Sequence, residues 1–138
     1  STSVQPAQNA PTTQRPNWRQ SEIEAAADYP DYEPQKSFLN GEDAKYGTKG
    51  SVRPDYYKVG HSVDIKNYNL ESSSGRRNLV RNIVKQYEQR LIHLPEGSKQ
   101  SVQIDLRGQN VSDEVLTKLY TEITQKTNGG VSISFKVK

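Results

Sequence analysis

The 138-residue sequence contains no cysteine and no methionine. Without cysteine, a disulfide framework, a thiolate nucleophile and a zinc–cysteine site are all excluded. Such a chain can also unfold and refold in any redox compartment, which suits a protein that crosses envelopes, although many ordinary domains share the property. Methionine is missing even at position 1, which is read as the mark of a piece cut from a longer chain. Hydrophobic residues make up only 31% of the sequence and the mean hydropathy is −0.94, so the expected core is small. No apolar run approaches the roughly 18 residues of a membrane-spanning helix, and no signal-peptide pattern stands at the N-terminus. A soluble chain with no stable membrane association is therefore expected. The length suits one domain. The net charge of +3 is mildly basic and does not by itself mark a nucleic-acid binder. The placement of the positive charges matters more.

Residues 1–17 are rich in Pro, Gln, Thr and Ala without any period, which predicts a flexible linker ahead of a folded unit over 18–138. Ser21 is the predicted cap of a first helix through Ala27, with Trp18 anchoring it. Lys36 to Asn40 reads as a short strand, and Ser51 to Val59 as another, with Pro54 marking an edge or bulge. Gly60-His61 is the predicted hairpin hinge. From His61 to Tyr68 the pattern alternates strictly, so that Val63 and Ile65 face one way and Asp64 and Lys66 the other. A long helix is predicted from Arg76 to His93, with Leu79, Ile83, Tyr87 and Leu91 along its apolar stripe, widened by Val80, Val84 and Ile92. Ser101 to Leu106 alternates as a strand, Ser112 caps a helix through Lys126, and Val131 to Val137 is a last strand. Helix, strands, helix, strand, helix, strand is the rhythm of an α/β layer fold with a mixed sheet.

Two acids and a lysine stand out: Asp55 after Pro54, then Asp64-Ile65-Lys66. Alternation puts Asp64 and Lys66 on one face, and pairing of the hairpin brings Asp55 to Asp64. Two carboxylates and a main-chain carbonyl, that of Ile65, make an all-oxygen site suited to Mg²⁺ or Mn²⁺. A metal there lowers the pKa of a bound water and neutralises phosphate charge, with Lys66 placed to orient or deprotonate that water or to hold a phosphate oxygen.

Pro54-Asp55, a gap and Asp64-x-Lys66 resemble the PD-(D/E)xK signature of restriction-endonuclease-like nucleases. The resemblance implies a mixed β-sheet flanked by helices, an acid on the preceding helix, for which Glu22 is the candidate with Glu24 second, and a basic helix after the lysine. Gln86 stands where some members carry a glutamine, but Arg90 occupies the place of their following tyrosine. The stretches Trp18-Arg19-Gln20-Ser21-Glu22, Tyr46 to Asp55, Val63 to Asn69 and Ile104 to Gln109 further resemble the C-terminal toxin domains of contact-dependent inhibition, haemagglutinin-like and Rhs polymorphic toxins. That resemblance implies a secreted or cell-surface effector that delivers the domain, action in the target-cell cytoplasm, and a cognate immunity protein that neutralises it. Most of the superfamily cuts DNA, while several toxin relatives cut transfer RNA; DNA is the expected substrate.

Plainer readings accompany these. A D-x-K triplet on a strand is common, and an acid in a first helical turn is usually a dipole partner. Arg76, Arg77, Arg81, Lys85, Gln86 and Arg90 are candidates for nucleic-acid binding, yet such charges are also the ordinary wet side of an amphipathic helix. The two histidines and Tyr56, Tyr57 and Tyr68 are expected to be structural, and Arg107 to pair with Asp105. A non-catalytic module binding nucleic acid or protein through the basic helix is the alternative of a different class.

Overall fold

In the computed structural model, residues 14–138 are described. The linker expected over 1–17 lies outside the described residues as far as position 13. The elements are α1 (Trp18–Glu24), a 3-10 turn (Ala25–Ala27), β1 (Glu33–Pro34), β2 (Ser37–Leu39), β3 (Glu42–Ala44), β4 (Tyr56–Lys58), β5 (His61–Lys66), α2 (Ser73–His93), β6 (Lys99–Asp105), α3 (Asp113–Lys126) and β7 (Val131–Lys136). Five strands form a mixed sheet in the order β1-β4-β5-β6-β7, and β2 and β3 form a separate hairpin. β4 runs antiparallel to β1 and β5, whereas β5, β6 and β7 are parallel. The expected α/β architecture, a mixed sheet flanked by helices, is the one observed.

Parallel neighbours need crossovers, and α2 and α3 supply them. Both pack on one face, where Leu79, Val80 and Ile83 of α2 and Leu119 and Ile123 of α3 meet Val102 and Ile104 of β6 in the main core. The opposite face is covered by α1 and the 3-10 turn, with Ala25, Tyr56, Val63 and Ile65 in a smaller cluster. The register then has a decisive effect. Val63 pairs with Ser101 and Asp64 with Val102, so the apolar side of β5 faces α1 while that of β6 faces α2. Asp64 and Lys66 are thereby carried into the apolar layer beneath α2.

Several local expectations are corrected. α1 starts at Trp18, because Asn17 rather than Ser21 is the cap, its Oδ1 accepting from Gln20 N at 2.8 Å. Ser21 is buried and donates to Asp105 Oδ2 at 2.7 Å. Trp18 does not anchor the helix; it is 60% exposed. β3 was not expected, and it forms because Asn40 and Gly41 both take positive φ, 52° and 86°, as a two-residue hairpin turn requires. The strand expected from Ser51 shrinks to Tyr56–Lys58, with Val52 making only an isolated bridge to Phe38. α2 begins at Ser73, three residues early, capped by Ser72. Leu91 and Ile92 are exposed at 61% and 65%. Three steps of four residues from Leu79 rotate the side-chain direction by about 120°, which carries Leu91 off the core, and Arg90 is buried in its stead.

Gly75 fixes where α2 begins. A Cβ on it would stand 1.8 Å from the Asn69 carbonyl oxygen, a backbone atom with no freedom to move aside. Alanine is the better helix former by about 1 kcal/mol, but overpacking of this kind costs about 1–3 kcal/mol and dominates. Gly75→Ala is therefore expected to lower stability, measured by urea unfolding; an unchanged or raised midpoint would contradict this packing.

Candidate active site

The site starts from the end of a strand. β4 stops where Pro54, which has no N–H to give, precedes Asp55. Past that end the ladder is continued by side chains: Ile65 N donates to Asp55 Oδ2 at 2.8 Å, and Asp55 N to Asp64 Oδ1 at 3.3 Å. Because the N–H and C=O of one strand residue point to the same edge, the Ile65 carbonyl opens on the Asp55 side. The expected approach of Asp55 to Asp64 is thus realised through the hairpin register, with Tyr56 opposite Val63.

Asp64 and Lys66 are only 5% and 9% exposed. Lys66 Nζ donates to Asn82 Oδ1 of α2 at 2.7 Å. Arg90, 6% exposed, brings Nη1 to 2.7 Å from Asp64 Oδ2. That contact is close but off the N–H axis, so Nη1 and Nε lack a hydrogen-bond partner, as does the buried Gln86 Oε1 one turn earlier. Asn82, Gln86 and Arg90 thus form one stripe, spaced by four residues, that roofs the site. Glu22 is half-buried at the open edge, its Oε1 accepting from Gln35 Nε2 at 3.0 Å. Tyr56 Oη donates to the Glu22 carbonyl at 2.5 Å and ties α1 to β4.

The electrostatics follow from this burial. Asp55 is pushed up to about 7, first by desolvation and then by the charge of Asp64, with Glu22 adding and the Ile65 N–H opposing. Lys66 is lowered, chiefly by burial; Asp64 pulls the other way, and Arg90 adds to the lowering. Both shifts favour loss of charge. They describe a pair of carboxylates held together with too little positive charge between them, which is the environment a divalent cation relieves.

Among the described residues no three His, Asp or Glu side chains converge as a ligand group. Mg²⁺ commonly binds through one or two carboxylates and keeps several waters, so Asp55, Asp64 and the Ile65 carbonyl are a sufficient donor set. The residues present fit the ion.

Other candidates fall elsewhere. Arg77, Arg81 and Lys85 are exposed, and with Val80 and Val84 they line a groove of about 430 Å³ that also contains Glu88 and the Glu122–Lys126 ion pair. Lys85 also lines a second cleft, of about 390 Å³, with Ser51, Arg53, Asn82, Gln86 and Arg90. The two clefts therefore share one lysine, and the second opens onto the residues that roof the site. Arg76 donates from Nη1 to the Leu70 carbonyl at 2.8 Å, closing the loop before α2. Arg90, expected on the wet face, is the buried partner of Asp64. Glu24 faces away, in an ion pair with Arg107 at 2.6 Å, and Arg107 pairs with Asp105 at 2.7 Å as expected. Glu22 is not in the first turn of α1, which removes the dipole reading for it. His61 lies between Tyr32 Oη and Ser101 Oγ, far along β5 from Lys66. Asn82 was missed in the sequence; its signal was the spacing Asn82, Gln86, Arg90, one polar residue per turn.

No family model matches the chain, and no curated protein matches it. Among solved structures the chain is similar to the "CdiA-CT/CdiI toxin and immunity complex from Yersinia pseudotuberculosis", at 16% identity and a TM-score of 0.48, over 86% of this chain and 98% of that one. No described helix is long and apolar enough to cross a membrane.

Two outcomes test this geometry. An acid whose folded pKa lies above its unfolded value binds its proton more tightly when folded. The stability it lends is therefore lost as pH rises from the ordinary 3.8 to about 7. Asp55→Asn, which keeps the acceptor for Ile65 N, is expected to melt higher than the parent at pH 8 in EDTA, with the gain shrinking towards pH 5. A gain independent of pH would contradict the carboxylate pair. Arg90→Met leaves Asp64 without its counter-charge and is expected to cost about 3–5 kcal/mol, read from urea unfolding at pH 8 in EDTA; a near-neutral effect would remove Arg90 from the site.

Proposed function

We propose that the chain is a divalent-metal-dependent endonuclease that hydrolyses phosphodiester bonds, with DNA as the polymer and Asp55, Asp64 and Lys66 as its centre. The observation that carries this reading is a buried Asp64 beside a half-buried Asp55, against a lysine of lowered pKa, at the broken end of a hairpin. Burying such charges is costly unless something pairs them, so a site that is only structural would be better served by apolar residues of the same size. A binding module acting through the α2 surface has no use for them.

In this reading Asp55, Asp64 and the Ile65 carbonyl hold Mg²⁺ or Mn²⁺. The bound ion supplies an acidified water and neutralises phosphate charge. Lys66, fixed by Asn82 and with its pKa lowered by burial, accepts a proton from the attacking water or holds a phosphate oxygen. The water oxygen bonds to phosphorus, the P–O bond to the leaving oxygen breaks, and solvent protonates that oxygen. Glu22 borders the reacting centre from α1, close enough for its charge to act on Asp55. Arg53 and Lys85 meet neighbouring phosphates in the adjoining cleft, and Arg77 and Arg81 extend a surface over α2 in which basic side chains outnumber Glu88 and Glu122. This surface is the observation that favours a nucleic-acid polymer over a small phosphodiester.

The biological setting rests on the sequence stretches that resemble polymorphic toxin domains. It is that of a toxin delivered by a larger secreted or surface effector, acting in the target-cell cytoplasm and neutralised by an immunity protein. Transfer RNA is the second substrate, attacked through the same centre. Incubation with plasmid DNA and with total transfer RNA distinguishes the two. Cutting is expected with Mg²⁺ and not in EDTA, and Lys66→Ala is expected to slow it by about 10²–10⁴-fold. A folded protein that cuts neither polymer, or one whose cutting survives Lys66→Ala, would overturn the reading.

A further inference from the structure

The flank of α1 that bears Glu22 also bears Trp18, one turn earlier and about 6 Å along the axis. Trp18 is the only tryptophan of the chain, and it stands 60% exposed although it carries the largest side chain available for a small core. Its support is rigid. Asn17 caps the helix beneath it, and Pro16 is buried, its carbonyl accepting from Asn67 Nδ2 at 2.8 Å. Arg15 donates to Asn67 Oδ1 from Nη2 at 2.9 Å and from Nε at 3.3 Å. Gly108 leaves room for this segment, since a Cβ there would lie 2.3 Å from Arg15 N.

Beside the indole is a cleft of about 390 Å³ lined by Arg15, Pro16, Asn17, Trp18 and Asn67. Asn67 directly follows Lys66, but its side chain turns to the α1 face, onto Ser21 and the Pro16 carbonyl. The cleft therefore adjoins the end of the catalytic strand from the α1 side, where Glu22 also stands. The Arg19 guanidinium lies over one face of the indole, 5.4 Å from its centroid, and that of Arg15 is held on Asn67 in the lining of the same cleft. A rigid exposed indole flanked by two cations suits a flat aromatic group joined to an anion. A nucleotide has that chemistry, with the base on the indole and the phosphates near the guanidinium groups.

We infer that Trp18 is the stacking platform for one nucleobase next to the scissile phosphodiester, and that the polymer must offer that base unpaired. Inside a duplex both faces of a base are already stacked on its neighbours, so only a single strand, a loop or an extruded nucleotide can present one to the indole. The inference rests on the nuclease reading for its position beside the scissile bond, and it narrows the substrate to strands with unpaired nucleotides.

Trp18 is its own reporter, because no other tryptophan contributes to the emission. The full chain, held in EDTA so that nothing is cut, is titrated with poly(dT), with poly(U) and with a blunt DNA duplex. Tryptophan emission and the anisotropy of a labelled oligonucleotide are followed together. Quenching is expected to track the single-strand binding curve and to be weak with the duplex. Trp18→Ala is expected to weaken single-strand binding by roughly 5- to 150-fold, the loss of one stacked base, while leaving duplex binding nearly unchanged. Trp18→Phe should keep part of the affinity. The melting temperature of each variant checks that folding is intact, as expected for an exposed position. Single-strand binding with unchanged emission and no effect of Trp18→Ala would overturn the inference and leave the nuclease reading standing. Equal quenching by the duplex would overturn the need for an unpaired base. No binding of any nucleic acid by anisotropy would overturn the inference, and the cutting assay with Mg²⁺ would then decide the nuclease reading separately.

Discussion

The structure turns on the placing of a buried Asp64 beside a half-buried Asp55, with Lys66 and Arg90 as the positive charges that act on both. Two like charges in a poorly solvated layer repel, and each loses its hydration. The fold imposes this arrangement through one register. Asp64 sits beside Val102 and Lys66 beside Ile104, so both point into the layer that α2 fills with Leu79 and Ile83. The sheet thereby spends stability at the end of β5 and recovers it along β6, where Val102 and Ile104 complete the main core.

The elements around the pair hold it in place without neutralising it. Asn82 fixes the lysine and Arg90 approaches Asp64 off-axis, which leaves guanidinium donors unmade inside the protein. On the other face, a second polar network docks α1. Burial alone would raise Asp105, but hydrogen bonds from Arg107 and Ser21 hold its carboxyl below the usual range. Arg107 extends to Glu24, and Asn67 joins Ser21 to the Pro16 carbonyl. That network is fully paired, as buried polar groups in a structural role generally are. The contrast between the two networks is itself informative. Complete pairing marks the anchor of α1, whereas beneath α2 Arg90 Nε and Nη1 and Gln86 Oε1 stay unpaired beside the two carboxylates.

Periodicity made most of the fold legible. The alternation in β5, β6 and β7, the apolar stripe of α3 and that of α2 as far as Tyr87 read directly from the sequence, as did the Ser112 cap, while α2 starts three residues earlier than expected. β1 was not legible because two residues carry no period. β3 was hidden by charged residues, with only the Asn40-Gly41 turn to announce it. Asp55, Asp64 and Lys66 were legible as a group, since spacing along a hairpin determines which side chains share a face. Spacing does not determine which side of the sheet that face becomes. For that reason the burial of Asp64 and Lys66, the inward turn of Arg90 and the part played by Asn82 emerged only from the register between β5 and β6. Trp18 misled for a related reason: an aromatic beside a helix start is usually packed, and here the small core beneath α1 is already filled by Ala25, Tyr56, Val63 and Ile65.

The central claim is that the adjacent carboxylates of Asp55 and Asp64 are a cation site and not a strained remnant of packing. Titration calorimetry with Mn²⁺ on the parent chain and on Asp64→Asn tests it most directly, because it reads binding without any substrate or turnover. The account predicts saturable binding of the ion by the parent, lost in the folded variant. Binding of equal strength in both, or heat in neither, would contradict it.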